Sequence, residues 1–330
     1  MTLYALDAVD DAGAAARDLL WPFDLRRWAR LALIVFFVGG SGGGLPFQFT
    51  SSLPNSTEAP PMPPGGPEAL VPGGAELAVI AAVVGLIALV VLGLLLVGSV
   101  MEFVFVESLR LETVRIRAYW RRYWRSALGL FGFRLVVGLV SLGAVAALAF
   151  AVFGPVLLGH GEVSVALILL AIPVFVVLSI AAGLVSGFAT MFVVPIMLKE
   201  DRGLVSAWRR FWPTLTAQWK QYAAYAVVGF VLQLAVGVAV SIVTVFVAVV
   251  AAIPLGIVGL AGVGLLGVAE VAGWAVIAVA VALFALAMLA FALLAGVPAR
   301  TYLRYHALFV LGDTDADFDL IEERRRAVRE

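Results

Sequence analysis

Long apolar runs dominate the chain and predict membrane-spanning helices. A helix needs about 20 apolar residues to cross the hydrocarbon core of a bilayer. Five runs reach that length, several with residues to spare for tilt: Glu76–Val106, Ala127–Leu158, Ser164–Leu198, Tyr222–Ile253 and Val271–Pro298. The pattern therefore predicts an all-α fold, a polytopic membrane helix bundle.

A sixth span is predicted near the N-terminus from a shorter run. Trp28–Val38 is apolar, and the glycine-rich segment Gly39–Gly44 follows it. This helix would begin near an N-cap at Asp24, with the neighbouring arginines extending to the membrane surface. The distribution of basic residues requires this crossing, because without it the N-terminal arginines would lie outside the cell.

All 22 Lys and Arg residues fall in segments that can share one side of the membrane. The stretches Leu31–Leu109, Leu135–Leu198 and Gln221–Ala299 contain none. Because Lys and Arg in short loops stay on the cytoplasmic side, we predict a multi-pass plasma-membrane protein with both termini cytoplasmic. The predicted organisation is a cytoplasmic N-terminal amphipathic helix (1–23), a six-helix transmembrane domain (24–310) and a cytoplasmic tail of acidic and basic residues (311–330).

The three predicted outer loops differ in composition. The first, 50–75, is rich in Pro and Gly, and its Asn55 lies in the only Asn-X-Ser/Thr sequon, which makes Asn55 a glycosylation candidate. The second is short, around His160–Glu162. The third, Pro254–Glu270, is apolar and Gly-rich, and we expect it to dip into the membrane edge.

Two near-identical pentapeptides lie in the predicted inner loops, 88 residues apart: WRRYW at Trp120–Trp124 and WRRFW at Trp208–Trp212. At 100° per residue, the aromatic side chains of each segment occupy one arc and the arginines the opposite arc. We therefore predict short amphipathic helices, 112–125 and 203–213, in the inner interface, with rings at the acyl boundary and guanidinium groups among headgroup phosphates. The lipid-interface candidates are Trp120, Arg121, Arg122, Trp124, Trp208, Arg209, Arg210 and Trp212.

The order span, interfacial helix, span occurs twice in the same orientation, which indicates two parallel repeats. The last span runs into Arg300–Tyr305 and Trp21–Trp28 leads into the first span, so the chain ends form a candidate third repeat. Two interpretations of the pentapeptides stay open. They form either an aromatic belt with positive-inside charge, as in any membrane protein, or a site that recognises lipid headgroups.

Little in the sequence points to catalysis, a cofactor or a metal. Cysteine is absent, and His160 and His306 are predicted on opposite sides of the membrane, so they cannot share a site. Gly262–Gly267 fits G-x-G-x-x-G but lies between two spans instead of in a βαβ unit, and we interpret it as a turn. Ser186 misses the spacing of a nucleophile elbow. The net charge of zero gives no argument for nucleic acid.

Glu102 and Glu107 are carboxylates near the end of an apolar run, and such residues are functional candidates by default, as proton relays or cation ligands. Glu102 follows Glu76 by 26 residues, about 39 Å at the helical rise. That length exceeds the ~30 Å hydrocarbon core. We therefore expect Glu102 near the inner surface, paired with arginines of the interfacial helix, while a transport role stays the alternative.

Several segments resemble an uncharacterised family of haloarchaeal membrane proteins: Val35–Gly40, Leu45–Phe49, Val194–Gly203, Ala207–Trp212 and Thr301–Leu308. The resemblance covers most of the chain and implies six spans and a haloarchaeal source, but no activity. More distantly, a span that ends in Pro, then Glu, then a basic and aromatic helix is similar to the membrane domain attached to some glycerophosphodiester phosphodiesterases. The catalytic barrel of those enzymes has no counterpart in this sequence.

These patterns together favour a non-enzymatic membrane component that organises lipid or a partner protein through the inner interfacial helices. Its expected partners are membrane lipids and another membrane protein or a second copy of the chain. The alternative is a transporter of a small or amphiphilic solute through the repeat interface, and a lipid-modifying enzyme is a third hypothesis. A polar pathway to the middle of the membrane would favour transport, whereas a dry interior of Leu, Val and Ala would favour the scaffold.

Overall fold

A computed structural model describes residues 3–41, 74–159 and 164–330, and those ranges contain no β-strand. The helices are α1 (Tyr4–Leu20), α2 (Leu25–Ser41), α3 (Gly74–Arg110), α4 (Ile116–Leu157), α5 (Val165–Phe188), α6 (Val194–Glu200), α7 (Leu204–Ala217), α8 (Trp219–Leu265), α9 (Glu270–Thr314) and α10 (Glu322–Arg329). A π-helical turn, Ala189–Val193, joins α5 to α6, and a 3₁₀ turn, Ala316–Phe318, precedes α10.

Five helical stretches are long and apolar enough to cross a membrane: Glu76–Arg110, Ile116–Val156, Val165–Glu200, Trp219–Leu265 and Glu270–Thr314. They match the five long apolar runs, so the prediction of an all-helical, multi-pass membrane protein is confirmed at that level. The predicted first span corresponds to α2, which has 17 residues and adjoins a part of the chain outside the described residues.

The long helices pack in the order α5, α4, α3, α2, α9 and α8. Helix α2 contacts α3 and α9, α4 contacts α3 and α5, and α8 pairs with α9 along an antiparallel hairpin. Helix α7 bridges α4 and α8 at the end of the bundle where the basic segments lie. We call that end the charged end and the opposite one the apolar end.

The predicted loop Pro254–Glu270 is wrong in extent, because α8 continues through Pro254 to Leu265 and the connection to α9 is only 266–269. Gly262 of α8 and Gly273 of α9 let these two helices pack closely beside the connection. A Cβ placed on Gly273 would lie 2.8 Å from the carbonyl oxygen of Gly262. The segment Gly262–Gly267, which the sequence analysis interprets as a turn, thus includes a residue, Gly262, that permits close helix packing, as small residues do in membrane proteins.

The buried core lies at the charged end. It combines α1, α2, the last turns of α3 and α9, the π turn with α6, and the first turns of α4 and α8. Towards the apolar end, side chains such as Leu86, Phe246 and Leu286 are exposed. Apolar side chains facing outwards suit helices that contact lipid, which is as apolar as a leucine side chain.

Helix α1 lies against the charged ends of α8 and α9. Its buried face is a row of alanines at helical spacing, Ala5, Ala8, Ala12 and Ala15, which allows the helices to approach closely. The His306 ring nitrogen Nε2 lies 2.8 Å from the carbonyl oxygen of Ala5, and this contact fixes the start of α1 on α9.

Candidate functional site at the charged end

The first pentapeptide belongs to α4, which runs unbroken from Ile116 to Leu157. The expectation of a separate interfacial helix over 112–125 is therefore wrong. No Gly or Pro separates the pentapeptide from the span, and one buried face continues through Tyr119, Tyr123, Ala127 and Leu130. The spacing of four, four and three residues keeps that face turned to the core over three turns.

The aromatic residues of this segment have different surroundings. Tyr123 is buried, Trp120 is half-buried, and Trp124 is 44% exposed. Arg121 and Arg122 are exposed, as their arc predicts. The Arg122 guanidinium lies 5.3 Å from the centre of the Tyr123 ring, so the arginine also covers a core aromatic residue.

The second pentapeptide lies on a separate helix, α7, which begins one residue after the predicted bound. Phe211 is buried, Trp208 is half-buried, and Trp212 is 53% exposed. The helix ends before Gln218, whose backbone is not helical and whose side-chain amide donates a hydrogen bond to the carbonyl oxygen of Thr314. The two pentapeptides thus share a pattern of burial but differ in helix architecture.

Arg209 and Arg210 are both exposed, but they differ in their contacts. The Arg210 guanidinium lies 3.1 Å from a carboxylate oxygen of Asp317 and 5.3 Å from the centre of the Phe318 ring. It also lies 3.8 Å from Glu200. Arg210 therefore joins α7 to the tail, which the sequence analysis missed.

Three charged residues from three helices form a buried cluster, which we call the buried triad: Glu102 of α3, Arg134 of α4 and Arg304 of α9. Arg304 pairs with one carboxylate oxygen of Glu102, and Arg134 lies 3.4 Å from the other. No side chain of the triad is more than 6% exposed. Since a buried charge is costly unless paired, the pairing explains how these groups persist among apolar helices.

The π turn supplies further partners to the triad. The Thr190 carbonyl oxygen accepts a hydrogen bond of 2.8 Å from Arg304, and the Thr190 hydroxyl lies 3.3 Å from Arg134. Arg134 also donates to the Ser99 hydroxyl at 3.3 Å. A π turn widens the helix and redirects its carbonyl groups, and here it places Thr190 between two guanidinium groups.

The prediction that Glu102 pairs with arginines of the interfacial helix is wrong about the partners. Those arginines lie on the exposed side of α4, whereas Arg134 lies at least nine residues, about two and a half turns, further along the same helix. The available signal was a lone Arg134 within an apolar run, matching a lone carboxylate on another span. Nothing in the local sequence identified Arg304 as the second partner.

Glu107 lies one turn and a half beyond Glu102 and is also buried. The Tyr123 hydroxyl donates a hydrogen bond of 3.0 Å to one of its carboxylate oxygens, and Arg110 lies 3.5 Å from the other. Neither carboxylate therefore points along an open path, and both hold α3 to α4.

The C-terminal tail folds back on the bundle. Arg324 of α10 lies 3.1 Å from Asp18 of α1 and 3.2 Å from Glu112 in the α3–α4 connection. Arg329 pairs with Asp313 and Asp11 at 2.7 Å and 2.8 Å. Hydrogen bonds to Asp313 and then to Asp11 raise the pKa of Arg329 above its usual range.

An exposed aromatic segment between α1 and α2 completes the charged end. Trp21 is 73% exposed, and Phe23 and Leu25 are also exposed. The Trp28 indole instead donates a hydrogen bond to the Leu20 carbonyl oxygen at 3.2 Å. Exposed rings beside Arg26 resemble in composition those of the two pentapeptides.

The other candidates carry no chemistry that we can identify. Asn55 and His160 lie outside the described residues. His306 is buried, and its ring stacks on Tyr225 at 5.5 Å. Within the described ranges, no group of His, Asp or Glu side chains could hold a metal ion.

Comparisons with known proteins identify a family. Neither a curated protein nor a solved structure matches the chain. A family model described as a family of unknown function, DUF7544, matches residues 3–321. The match covers nearly the whole chain, and the protein therefore belongs to the DUF7544 family.

Proposed function

We propose that this protein is a non-enzymatic membrane component that organises anionic lipid at the inner leaflet of the plasma membrane. In this proposal the chain has six spans, with α2 as the first, and its charged end faces the cytoplasm. The basic segments would then follow the positive-inside rule, and the exposed arginines would meet the negative surface of the inner leaflet.

The observation that carries the proposal is that each pentapeptide has one aromatic side chain buried in the core and another exposed on the surface. Tyr123 and Phe211 are buried in the core, which fixes the orientation of each helix, while Trp124 and Trp212 remain exposed. The Arg125 guanidinium lies 5.5 Å from the centre of the Trp124 ring. Exposed indole rings next to guanidinium groups are the composition of a membrane interface, with rings at the acyl boundary and cations among phosphates.

The proposed parallel repeats receive support from the buried triad. The 88-residue offset between the pentapeptides also relates Glu102 to Thr190. Both residues contact Arg134 and Arg304. Equivalent positions of two repeats would then meet at one point of the bundle.

The alternative function, solute transport, would require Glu102 to exchange partners during a cycle. Its carboxylate is instead held by Arg134 and Arg304 on two other helices. Glu102 lies 8 residues, about 12 Å, before the end of α3 at Arg110, and 28 residues, about 42 Å, after its start. Arg304 likewise lies 10 residues before the end of α9 at Thr314. Glu102 and Arg304 are thus displaced from the middle of their helices towards the charged end, which supports the scaffold over transport.

Quenching of tryptophan fluorescence by brominated lipids tests the interfacial seating. The full chain is placed in vesicles whose lipids carry bromine near the top of the acyl chains. We expect Trp124→Phe/Trp212→Phe to remove a large part of the quenched fluorescence, and Trp28→Phe, which alters a half-buried ring, to remove little. Equal quenching in wild type and Trp124→Phe/Trp212→Phe would contradict the proposed seating.

A further inference from the structure

An open apolar cleft of about 420 Å³ lies between α4 and the first turn of α7, beside their contact at Gly129 and Leu204. It is lined by Gly129, Gly132, Phe133 and Val136 on α4 and by residues 203–206 at the start of α7. Gly132 leaves the cleft open, because a Cβ placed there meets no atom within 4 Å. One wall is extended by Trp208, whose ring lies 6.3 Å from that of Phe133.

Each of the two helices that line the cleft carries an arginine four residues from a lining residue. On α4, Arg125 precedes Gly129 by four residues, so it lies on the cleft face one turn nearer the charged end. On α7, Arg209 follows Val205 by four residues and lies on the corresponding face. Both arginines are exposed, and neither forms an ion pair within the part of the chain that the structure describes. The Arg125 guanidinium lies 5.5 Å from the centre of the Trp124 ring, a contact that leaves it free to bind an anion.

We propose that this cleft binds one anionic membrane lipid, with a hydrocarbon chain along Gly132 and Val136 and its phosphate between Arg125 and Arg209. The proposal rests on the function proposed above and assigns it a specific site. An open apolar groove offers a soluble anion no polar partner but suits a hydrocarbon chain, whereas two exposed cations near it match a phosphate. The shape and the charge therefore select the same class of ligand.

Filling the cleft tests the chain-binding half of the site. Gly132→Leu places a side chain where the hydrocarbon would lie. Gly138→Leu is the matched control, since Gly138 is exposed on the same helix and its Cβ also meets no atom within 4 Å. Native mass spectrometry of the purified full chain, titrated with phosphatidylglycerol, measures the affinity of the first bound lipid.

We expect Gly132→Leu to weaken this affinity about tenfold relative to Gly138→Leu, because several buried CH₂ contacts are lost. Arg125→Gln/Arg209→Gln should weaken it comparably without touching the core, and Arg17→Gln/Arg326→Gln, at exposed residues of α1 and α10, should not. Phosphatidylcholine of the same chain length should bind more weakly, and glycerol phosphate without chains should not compete.

Equal first-lipid affinities in Gly132→Leu and Gly138→Leu, or in the two arginine double variants, would refute this site. Competition by glycerol phosphate would show an anion site without chain binding and would also overturn it. Quenching of Trp124 and Trp212 does not depend on the cleft, so the seating can hold while the site fails. The two proposals are therefore separately testable.

Discussion

Glu102 and Arg304, 202 residues apart in the chain, form an ion pair in which each side chain is 2% exposed. The pair ties α3 to α9, and Arg134 extends it to α4. One carboxylate thus joins three of the five long apolar helices at a single level. Because breaking a buried pair leaves an uncompensated charge, this pair should dominate the stability of the charged end.

Glu102→Gln should lower the free energy of unfolding by about 3 kcal/mol or more, the usual cost of removing one partner of a buried pair. Glu322→Gln is the control, since Glu322 is exposed and, among the described residues, its ion pair is with Arg326 one turn away. Thermal unfolding of both variants in mild detergent measures the difference. A melting temperature of Glu102→Gln equal to that of Glu322→Gln would mean that the pair contributes no net stability.

The same variant also separates the scaffold from a transporter. We expect Glu102→Gln and Glu107→Gln, as far as each remains folded, to leave solute and proton flux in reconstituted vesicles unchanged. A solute-dependent or proton-dependent flux that Glu102→Gln abolishes in folded protein would contradict the scaffold.

Sequence patterns predict the local features of this fold and miss most of its long-range pairing. Hydropathy runs identify the five long helices because burial in lipid demands an apolar length. They do not show that Pro254 lies inside α8, since a membrane helix tolerates proline where neighbours satisfy the freed carbonyl groups. Partners such as Glu102 and Arg304 depend on how helices pack, which no local pattern encodes.

In the candidate site, too, the sequence predicts local features but not which side chains are buried or which distant residues they contact. Helical periodicity places Arg121 and Arg122 on an exposed arc, but it treats all the aromatic residues of a pentapeptide alike. In the structure, Tyr123 and Phe211 are core residues while Trp124 and Trp212 are exposed. The contact of Arg210 with Asp317 also required the tail to fold back, which depends on charges distant in sequence.

The close contact of α8 and α9 makes a prediction for two glycines. Gly273→Ala should be destabilising, because its Cβ would lie 2.7 Å from the Leu266 side chain and 2.8 Å from the Gly262 carbonyl oxygen. Gly264→Ala has no atom within 4 Å of its Cβ and should be neutral or stabilising by up to ~1 kcal/mol through helix propensity. Thermal unfolding distinguishes them, and equal melting temperatures would argue against tight packing of this hairpin.

The ion pairs of α10 predict a modest stabilising role for Arg324, which bridges Asp18 and Glu112. Arg324→Gln should cost about 1 kcal/mol, since the pairs are only partly shielded from solvent. Arg326→Gln removes a single exposed pair within α10 and should cost almost nothing. Hydrogen exchange of α1 reports the effect, and unchanged protection of α1 in Arg324→Gln would show that α10 does not hold it.

The proposed topology is tested by labelling single cysteines in sealed cells. Val268→Cys, at a side chain that is 90% exposed in the α8–α9 connection, should react with a membrane-impermeant maleimide from outside. Ser206→Cys and Ala316→Cys, both exposed at the charged end, should react only after lysis. External labelling of Ser206→Cys would reverse the orientation.

Electron spin resonance of spin-labelled lipids around the reconstituted protein tests whether the charged end organises anionic lipid. The ratio of association constants for phosphatidylglycerol and phosphatidylcholine is measured in wild type, Arg121→Gln/Arg122→Gln and the charge-matched Arg17→Gln/Arg326→Gln. We predict a preference for phosphatidylglycerol of several-fold in wild type, since each arginine near an anionic surface contributes about 1 kcal/mol. The preference should fall in Arg121→Gln/Arg122→Gln and persist in Arg17→Gln/Arg326→Gln. Equal association of both lipids with the wild-type protein would show that the charged end does not organise anionic lipid.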